Sequence, residues 1–221
     1  MAERVVGSPS AAPASPSRRS EERHERLLAS ALALFAGQGF HETSVDQIVA
    51  AARTSKSAFY ASFAAKEDCF RVLLAQEGGQ LLAAAQDAAG RSGGDHRDSI
   101  ASGIRGFVEA CFRRAPVARL LLVESVGLAA EIEIVRAQLH AAFAALVEAD
   151  VRRGRAQGDF HRVDSQVWAR AVVGAVNEVV GMALREGSSE GSSVDPTALA
   201  EQLGLVFGSP AQKRKFGSAH S

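Results

Sequence analysis

The chain has 221 residues, of which 47% are hydrophobic and 23% charged, a composition typical of a soluble globular protein. Basic and acidic residues number 25 each, so net charge predicts neither a nucleic-acid nor a membrane partner, and any DNA-binding surface must be a local arrangement. Two cysteines, Cys69 and Cys111, are too few for a disulfide framework and lack zinc-ligand spacing. The sequence has no uninterrupted apolar run of ~18 residues and no signal-peptide core, so we expect a cytoplasmic protein without a membrane span.

The sequence also lacks the common motifs of catalysis. Its six histidines are scattered without an HExxH motif, and there is no nucleophile motif and no phosphate loop. We therefore predict that the protein is not an enzyme and that it binds neither a cofactor nor a metal.

Composition divides the chain into two terminal segments and a helical middle. Residues 1–19 are rich in Ala, Ser and Pro, and residues 209–221 form a basic tail, so both segments are predicted to be disordered. Between them the periodicity is helical, with little of the alternation that strands show. We predict an all-α fold of about nine helices.

The first three predicted helices are compact. The first begins near Ser20, Thr43 and Asp46 occupy capping-box positions before the second, and Ser55 is a suitable N-cap for a third segment. Two very short helices joined by a tight turn after a longer one are typical of a helix-turn-helix, whose last helix fits the DNA major groove. The outward positions of that helix are small or able to hydrogen-bond: Lys56, Ser57, Tyr60, Ala61 and Ser62.

Longer helices are predicted behind this segment. The fourth runs from about Ala65 to Ala89, and a compact apolar helix is predicted over 117–126. Residues 167–184 are interrupted only by Arg170, Asn177 and Glu178, so this helix must be covered on more than one side. Asp195 and Pro196 supply the N-cap and first position of the last helix.

The run from Arg26 to Phe70 closely resembles the N-terminal domain of TetR-family transcriptional regulators. Its matching landmarks are Phe35, Gly39-Phe40, Thr43-Ser44-Val45, Ile48, Ala52, Ser55-Lys56, Phe59-Tyr60, Phe63 and Lys66-Glu67. The resemblance implies a helix-turn-helix DNA-binding domain over 20–66, a ligand-binding and dimerisation domain over 67–208, and a ligand-responsive repressor that binds double-stranded operator DNA.

The resemblance also implies which residues contact DNA. Thr43 and Ser44 resemble phosphate ligands at a helix N-terminus, Lys56 and Tyr60 resemble groove or phosphate contacts, and Lys66 resembles a backbone contact. The predicted DNA-contact set is Thr43, Ser44, Ser55, Lys56, Ser57, Tyr60, Ser62 and Lys66, although Ser55 is better explained as a cap.

Arg53 departs from the family pattern, which usually has glycine in the turn between the second and third helices. A non-glycine residue there either adopts a left-handed conformation, at a cost of ~1–2 kcal/mol, or changes the turn. Its side chain is expected either at a DNA phosphate or in solvent, and the sequence leaves both alternatives open.

The second half of the chain is predicted to hold a dimer interface and an effector pocket. Two reading heads on a twofold axis can read half-sites on successive turns of DNA, and the apolar helices in 164–208 are the expected homodimer contact. A small, mostly apolar effector is expected in a pocket between them and the head. The candidate wall residues are Phe107, Cys111, Leu121, Phe143, Trp168 and Asn177, for each of which core packing is the alternative.

Three other functions remain as alternatives at this stage. A helical enzyme would show steady turnover, a TetR-like sensor or interaction protein would bind DNA with salt-dependent but sequence-independent affinity, and an activator would differ from a repressor only in where its operator lies.

Overall fold

A computed structural model describes residues 16–93, 96–157, 164–186 and 194–208. The predicted leader up to residue 15 and the predicted tail from residue 209 lie outside the described residues. Residues 16–19, which the composition placed in the leader, form the first turn of a helix that begins at Pro16 rather than near Ser20.

The described residues form nine α-helices and no strand, which confirms the predicted all-α fold. In chain order the helices are α1 (Pro16–Gln38), α2 (Val45–Ala51), α3 (Lys56–Tyr60), α4 (Lys66–Gly90), α5 (His96–Arg113), α6 (Ala115–Arg119), α7 (Ala130–Ala156), α8 (Ser165–Glu186) and α9 (Pro196–Gly208). A π-helical turn, Leu120–Glu124, directly follows α6.

Helices α1, α2 and α3 form an N-terminal head around an aromatic core. Phe35 of α1, Phe59 of α3 and Phe63, which follows α3, are fully or almost fully buried. Phe70 of α4 packs edge to face on Phe35, with ring centroids 5.5 Å apart. The core of the head therefore continues into α4, and the predicted boundary between residues 66 and 67 cuts through a packed cluster.

Of the two short helices, α3 is capped as predicted and α2 is not. Ser55 accepts a hydrogen bond from the amide of Ala58 and caps α3, as expected. At α2 the capping box is formed by Ser44 and Gln47, not by Thr43 and Asp46. The Gln47 side chain reaches back, and its Oε1 atom accepts from the Ser44 N–H at 2.8 Å. The shorter side chain of Asp46, one position earlier, makes no such bond.

The turn between α2 and α3 holds Arg53 in the left-handed conformation, with φ of 51°. This is one of the two alternatives that the sequence allowed. The backbone amides of Arg53 and Thr54 donate to Ala50 and Val49, which closes the turn. The turn geometry of the helix-turn-helix is thus kept, and the chain carries the steric cost of a Cβ atom in that conformation.

We expect Arg53→Gly to be more stable than Arg53→Ala by between about 0.5 and 1 kcal/mol. Glycine removes a steric cost of ~1–2 kcal/mol at positive φ but loses ~0.5–1 kcal/mol of chain entropy, whereas alanine keeps the steric cost. Urea unfolding of the two variants measures the difference. Equal stabilities would show that the turn is not strained.

The body of the protein is built from α4, α5, α7, α8 and α9. Helices α4 and α5 cross closely at Gly106, where an added Cβ atom would lie 2.5 Å from the Cβ atom of Ala88.

Burial raises the pKa of both cysteine thiols, Cys69 and Cys111, to about 12. Both are therefore inert, buried apolar residues.

The compact helix predicted over 117–126 is not a regular α-helix. The Ser125 amide donates to Leu120 five residues back, at 3.0 Å, which is the π-helical pattern. The carbonyl of Leu121 instead accepts from the Ser125 hydroxyl, at 2.5 Å, and from the Arg136 guanidinium of α7, at 3.1 Å. The half-buried Arg136 comes from a distant helix, so periodicity alone does not reveal this competing donor.

Helix α8 is covered on only part of its circumference. It packs on α7, and its opposite face exposes a stripe formed by Val167, Ala171, Gly174, Glu178 and Met182. Among the described residues it is the one helix long and apolar enough for a membrane span by length and composition, with 39% of that window buried. A core or interface helix of a soluble protein has the same composition.

Candidate DNA-binding surface and effector cavity

The outer face of α3 carries the side chains that are free to contact a ligand. Tyr60 is 56% exposed, and its ring rests edge to face on Phe59 with centroids 5.4 Å apart. Lys56 and Ser57 are also exposed. Because Phe59 anchors α3 in the core of the head, these three side chains are held on one outward surface without a bulky aliphatic residue between them.

Lys56 is held in place by an acidic neighbour. Its Nζ atom lies 2.7 Å from Asp46 Oδ1, and the hydrogen bond to Asp46 raises the Lys56 pKa. Both side chains are exposed, so this ion pair is easily exchanged for another anion. A DNA phosphate would therefore compete with Asp46 for the ammonium group.

Besides the cap Ser55, four of the predicted DNA-contact residues make hydrogen bonds within the protein: Thr43, Ser44, Ser62 and Lys66. Thr43 is buried, and its hydroxyl donates to the Gly39 carbonyl at 2.8 Å. The Ser62 hydroxyl donates to the Ala58 carbonyl at 3.3 Å. Ser44 is exposed at the start of α2, but its oxygen accepts from the Gln47 amide as the N-cap.

Lys66 is the fourth of these residues, and its ammonium group has two hydrogen-bond partners within the protein. Its Nζ atom donates to the carbonyls of Phe40 and Thr43, both at 2.8 Å, and lies 4.2 Å from the centre of the Phe40 ring. The ammonium group thus ties the start of α4 to the loop before α2. These bonds position the head, and the contact of Lys66 with the DNA backbone stays a prediction.

We expect Lys66→Met to lower the free energy of unfolding by about 2 kcal/mol. The substitution leaves two carbonyl groups without their charged donor, and hydrogen bonds to charged groups contribute roughly 1.5–3 kcal/mol. Chemical denaturation measures the loss. The matched control is Lys56→Met, which removes an exposed ion pair and should leave stability almost unchanged; equal losses in both variants would contradict the positioning role.

An apolar cavity of about 50 Å³ lies in the body between α4, α5, α7 and α8. Phe107 and Phe143 meet edge to face in its wall, with ring centroids 5.1 Å apart. Both belong to the predicted wall, as does Asn177. The other lining residues are Ala85, Ala89, Ser99, Ile100, Gly103, Ile104, Leu146, Val147, Asp150, Val172, Val173 and Val176.

A second cavity of about 30 Å³ shares Phe107, Phe143 and Asn177 with the first and extends toward the head. Leu121, another predicted wall residue, lines it. The remaining two predictions do not fit. Cys111 is fully buried in the helical core, and Trp168 packs on Phe207 of α9, with ring centroids 6.1 Å apart; neither lines either cavity.

The second cavity has a polar edge that sequence reasoning missed. Asn177 Nδ2 lies 3.1 Å from His140 Nε2. Burial, and then the nearby Arg136 guanidinium, lower the His140 pKa, so the neutral imidazole accepts this hydrogen bond. Asn177 thus has the polar partner that its place in an apolar helix requires.

A wider outer cavity of about 300 Å³ adjoins the first one near the end of α4 and the start of α5. Ser99 and Asp150 line both cavities, and the Ser99 hydroxyl donates to Asp150 Oδ2 at 2.9 Å. His96 and Arg153 line the outer cavity only. His96 and Ser99 share α5, and Asp150 and Arg153 share α7, but Ser99 and Asp150 are 51 residues apart, so sequence spacing does not group the two pairs.

Two family models match the chain. The N-terminal model of bacterial regulatory proteins of the tetR family matches residues 27–73, and the tetracyclin repressor-like C-terminal domain matches residues 93–181. Together they cover more than half of the chain. Comparison with curated protein sequences gives no match.

Solved structures of other proteins share the fold of this chain over almost their whole length. FadR of Bacillus subtilis in complex with stearoyl-CoA has 16% identity and a TM-score of 0.73, covering 83% of this chain and 97% of that one. The fatty acid degradation regulator FadR of Bacillus halodurans has 17% identity and a TM-score of 0.72, covering 84% and 97%. A tetR-family regulatory protein of Rhodococcus RHA1 has 23% identity and a TM-score of 0.68, covering 86% and 98%. With a helix-turn-helix head, a helical body and a family match in each, the chain belongs to the TetR family of bacterial transcriptional regulators.

Proposed function

We propose that the protein is a dimeric transcriptional repressor that binds a palindromic operator and leaves it when a small, mostly apolar effector fills the cavity. The observation that carries the proposal is the outward surface of α3, Lys56, Ser57 and Tyr60, held rigidly by a core that continues into the cavity-lining body. In this arrangement α3 enters the major groove, with its hydrogen-bonding side chains at base edges and phosphates.

The exposed stripe of α8 supports a dimer through residues 164–208. The Trp168–Phe207 contact brings the start of α8 to the end of α9, where Val167, Leu205 and Val206 are each more than half exposed. Gly174, halfway along the stripe, has open space around it. A small residue between exposed apolar ones suits close packing of two copies about a twofold axis.

The positions of α4 and Leu121 support coupling between effector and head. Ala85 and Ala89 of α4 line the cavity, while Phe70 near its other end lies in the core of the head. Leu121 lines the second cavity and also belongs to that core. An effector larger than the present cavity displaces these contacts and changes the spacing of the two heads, which a bistable dimer converts into release from DNA.

The apolar wall sets the class of effector. FadR of Bacillus subtilis was solved with stearoyl-CoA, so a fold of this type accommodates a ligand with an apolar chain. The wall residues here are aliphatic and aromatic apart from Ser99, Asp150 and Asn177. We infer an effector that is largely hydrocarbon with few polar groups.

A mobility-shift experiment with DNA from upstream of the protein's own gene tests the proposal. We expect a complex that survives an excess of unrelated competitor DNA at about 0.1 M salt. A shift that unrelated DNA removes equally well would instead indicate sequence-independent binding and contradict the repressor proposal.

A further inference from the structure

A compact polar cluster lies where the inner and outer cavities meet. Ser99 and Asp150 line both cavities and are joined by a hydrogen bond of 2.9 Å between α5 and α7. The Arg153 guanidinium donates to the other oxygen of Asp150. The formal charges of Asp150 and Arg153 cancel, so the junction is polar without carrying a net charge.

His96 is the one member of this cluster with a buried side-chain nitrogen that has no hydrogen-bond partner among the described residues. Its side chain is nine-tenths buried, and its Nδ1 atom lies 3.9 Å from Asp150 Oδ1. Its Nε2 atom has no hydrogen-bond partner among the residues that the structure describes. A buried polar atom without a partner is uncommon in folded proteins, and the histidine lines the outer cavity. A ligand in that cavity is therefore the candidate partner.

In the neutral imidazole, the neighbouring carboxylate favours one kind of partner for Nε2. The negative charge of Asp150 favours the tautomer with its proton on Nδ1, the nitrogen that faces the carboxylate. In that neutral tautomer Nε2 is an acceptor. The complementary ligand group is a hydrogen-bond donor.

We propose that the cluster of His96, Ser99, Asp150 and Arg153 is the head-group subsite for an apolar alcohol, whose hydroxyl donates to His96 Nε2 and whose hydrocarbon part lies in the inner cavity. This deepens, and rests on, the proposal that the cavity takes the effector. The ion pair of Asp150 and Arg153 leaves the junction without a net charge, so it does not compensate the desolvation of a carboxylate or an alkylammonium. An ester or ether has no proton to donate.

Calorimetric titration of the full-length protein with matched ligands tests this assignment. The probes are 1-alkanols of four to twelve carbons and, at the best-binding chain length, the corresponding alkyl methyl ether, carboxylate and alkylamine. We expect the alcohol to bind about tenfold more tightly than the ether, because one buried hydrogen bond is worth roughly that factor. Carboxylate and amine should bind more weakly than the alcohol.

Variants at position 96 separate recognition from packing. In His96→Phe, which keeps a ring but loses the acceptor, the affinity ratio of alcohol to ether should fall to about one; in His96→Gln, which restores an acceptor oxygen, the preference should return. The control His41→Phe alters an exposed histidine in the head and should keep the ratio. The ratio is insensitive to a general loss of affinity, so a partly destabilised variant remains informative.

Two results would overturn the assignment. One is an alcohol preference that is unchanged in His96→Phe, and the other is binding of no alkanol at any chain length. If these occur while the ligand-free protein still binds its operator specifically, the head-group subsite is wrong and the proposed regulator stands. Loss of operator binding by the unaltered protein would instead contradict the proposed function itself.

Discussion

Replacing both Lys56 and Tyr60 by alanine should lower operator affinity by at least about 100-fold while leaving the melting temperature nearly unchanged. Each side chain belongs to the exposed face of α3, and a single base or phosphate contact is worth about tenfold or more in affinity. The proposed dimer presents the face twice, so each substitution would remove two contacts. Folding is spared because Tyr60 is 56% exposed and the Lys56–Asp46 ion pair lies in solvent.

Fluorescence anisotropy with a labelled operator, together with thermal unfolding, measures both quantities. The control is Arg105→Ala, which removes an exposed positive charge from α5 in the body and should change affinity little. Lys66 is left intact because its ammonium group holds Phe40 and Thr43, so its removal would mix a folding defect with a DNA defect. Undiminished binding by the double variant would show that α3 is not the reading surface.

The double variant Val167→Glu and Met182→Glu should be a folded monomer with operator affinity reduced by about two to four orders of magnitude. These residues are 68% and 47% exposed and lie on the stripe of α8 that we assign to the dimer interface. Four carboxylates brought together in one interface repel each other and oppose dimerisation. A monomer then binds each half-site without the high effective concentration that linkage of two heads provides.

Sedimentation velocity gives the oligomeric state, and the same operator assay gives the affinity. Val126→Glu with Ile134→Glu is the matched control, because these residues are 55% and 58% exposed on another part of the surface. A variant of α8 that still sediments as a dimer, or a control that dissociates equally, would place the interface elsewhere.

The head could be predicted from sequence because its signals are local. Ser55 lies three residues before the amide that it caps, and the sequence left two alternatives for Arg53, of which the left-handed conformation is the one found. The capping box of α2 was misassigned by one position, although the Ser-x-x-Gln pattern of Ser44 and Gln47 is present in the sequence and is the better match.

The rest depended on contacts between residues that are distant in the chain. Lys66 reaches carbonyls 23 and 26 residues earlier, and Ser99 meets Asp150 across 51 residues. A pattern read along one helix indicates which face is apolar, but it does not show which helix covers it. Cys111 and Phe107 are four residues apart on the same stripe of α5, and only the packing of α7 and α8 places Phe107 at the cavity and Cys111 in the core.

Hydroxyl-radical footprinting of the unaltered protein on its own upstream DNA tests most directly whether paired α3 helices read an operator. We predict two protected regions related by twofold symmetry, centred one helical turn of about 10 base pairs apart or a multiple of it, with protection lost when an effector is bound. A single unsymmetrical protected region, or protection that moves with any DNA fragment, would contradict the account.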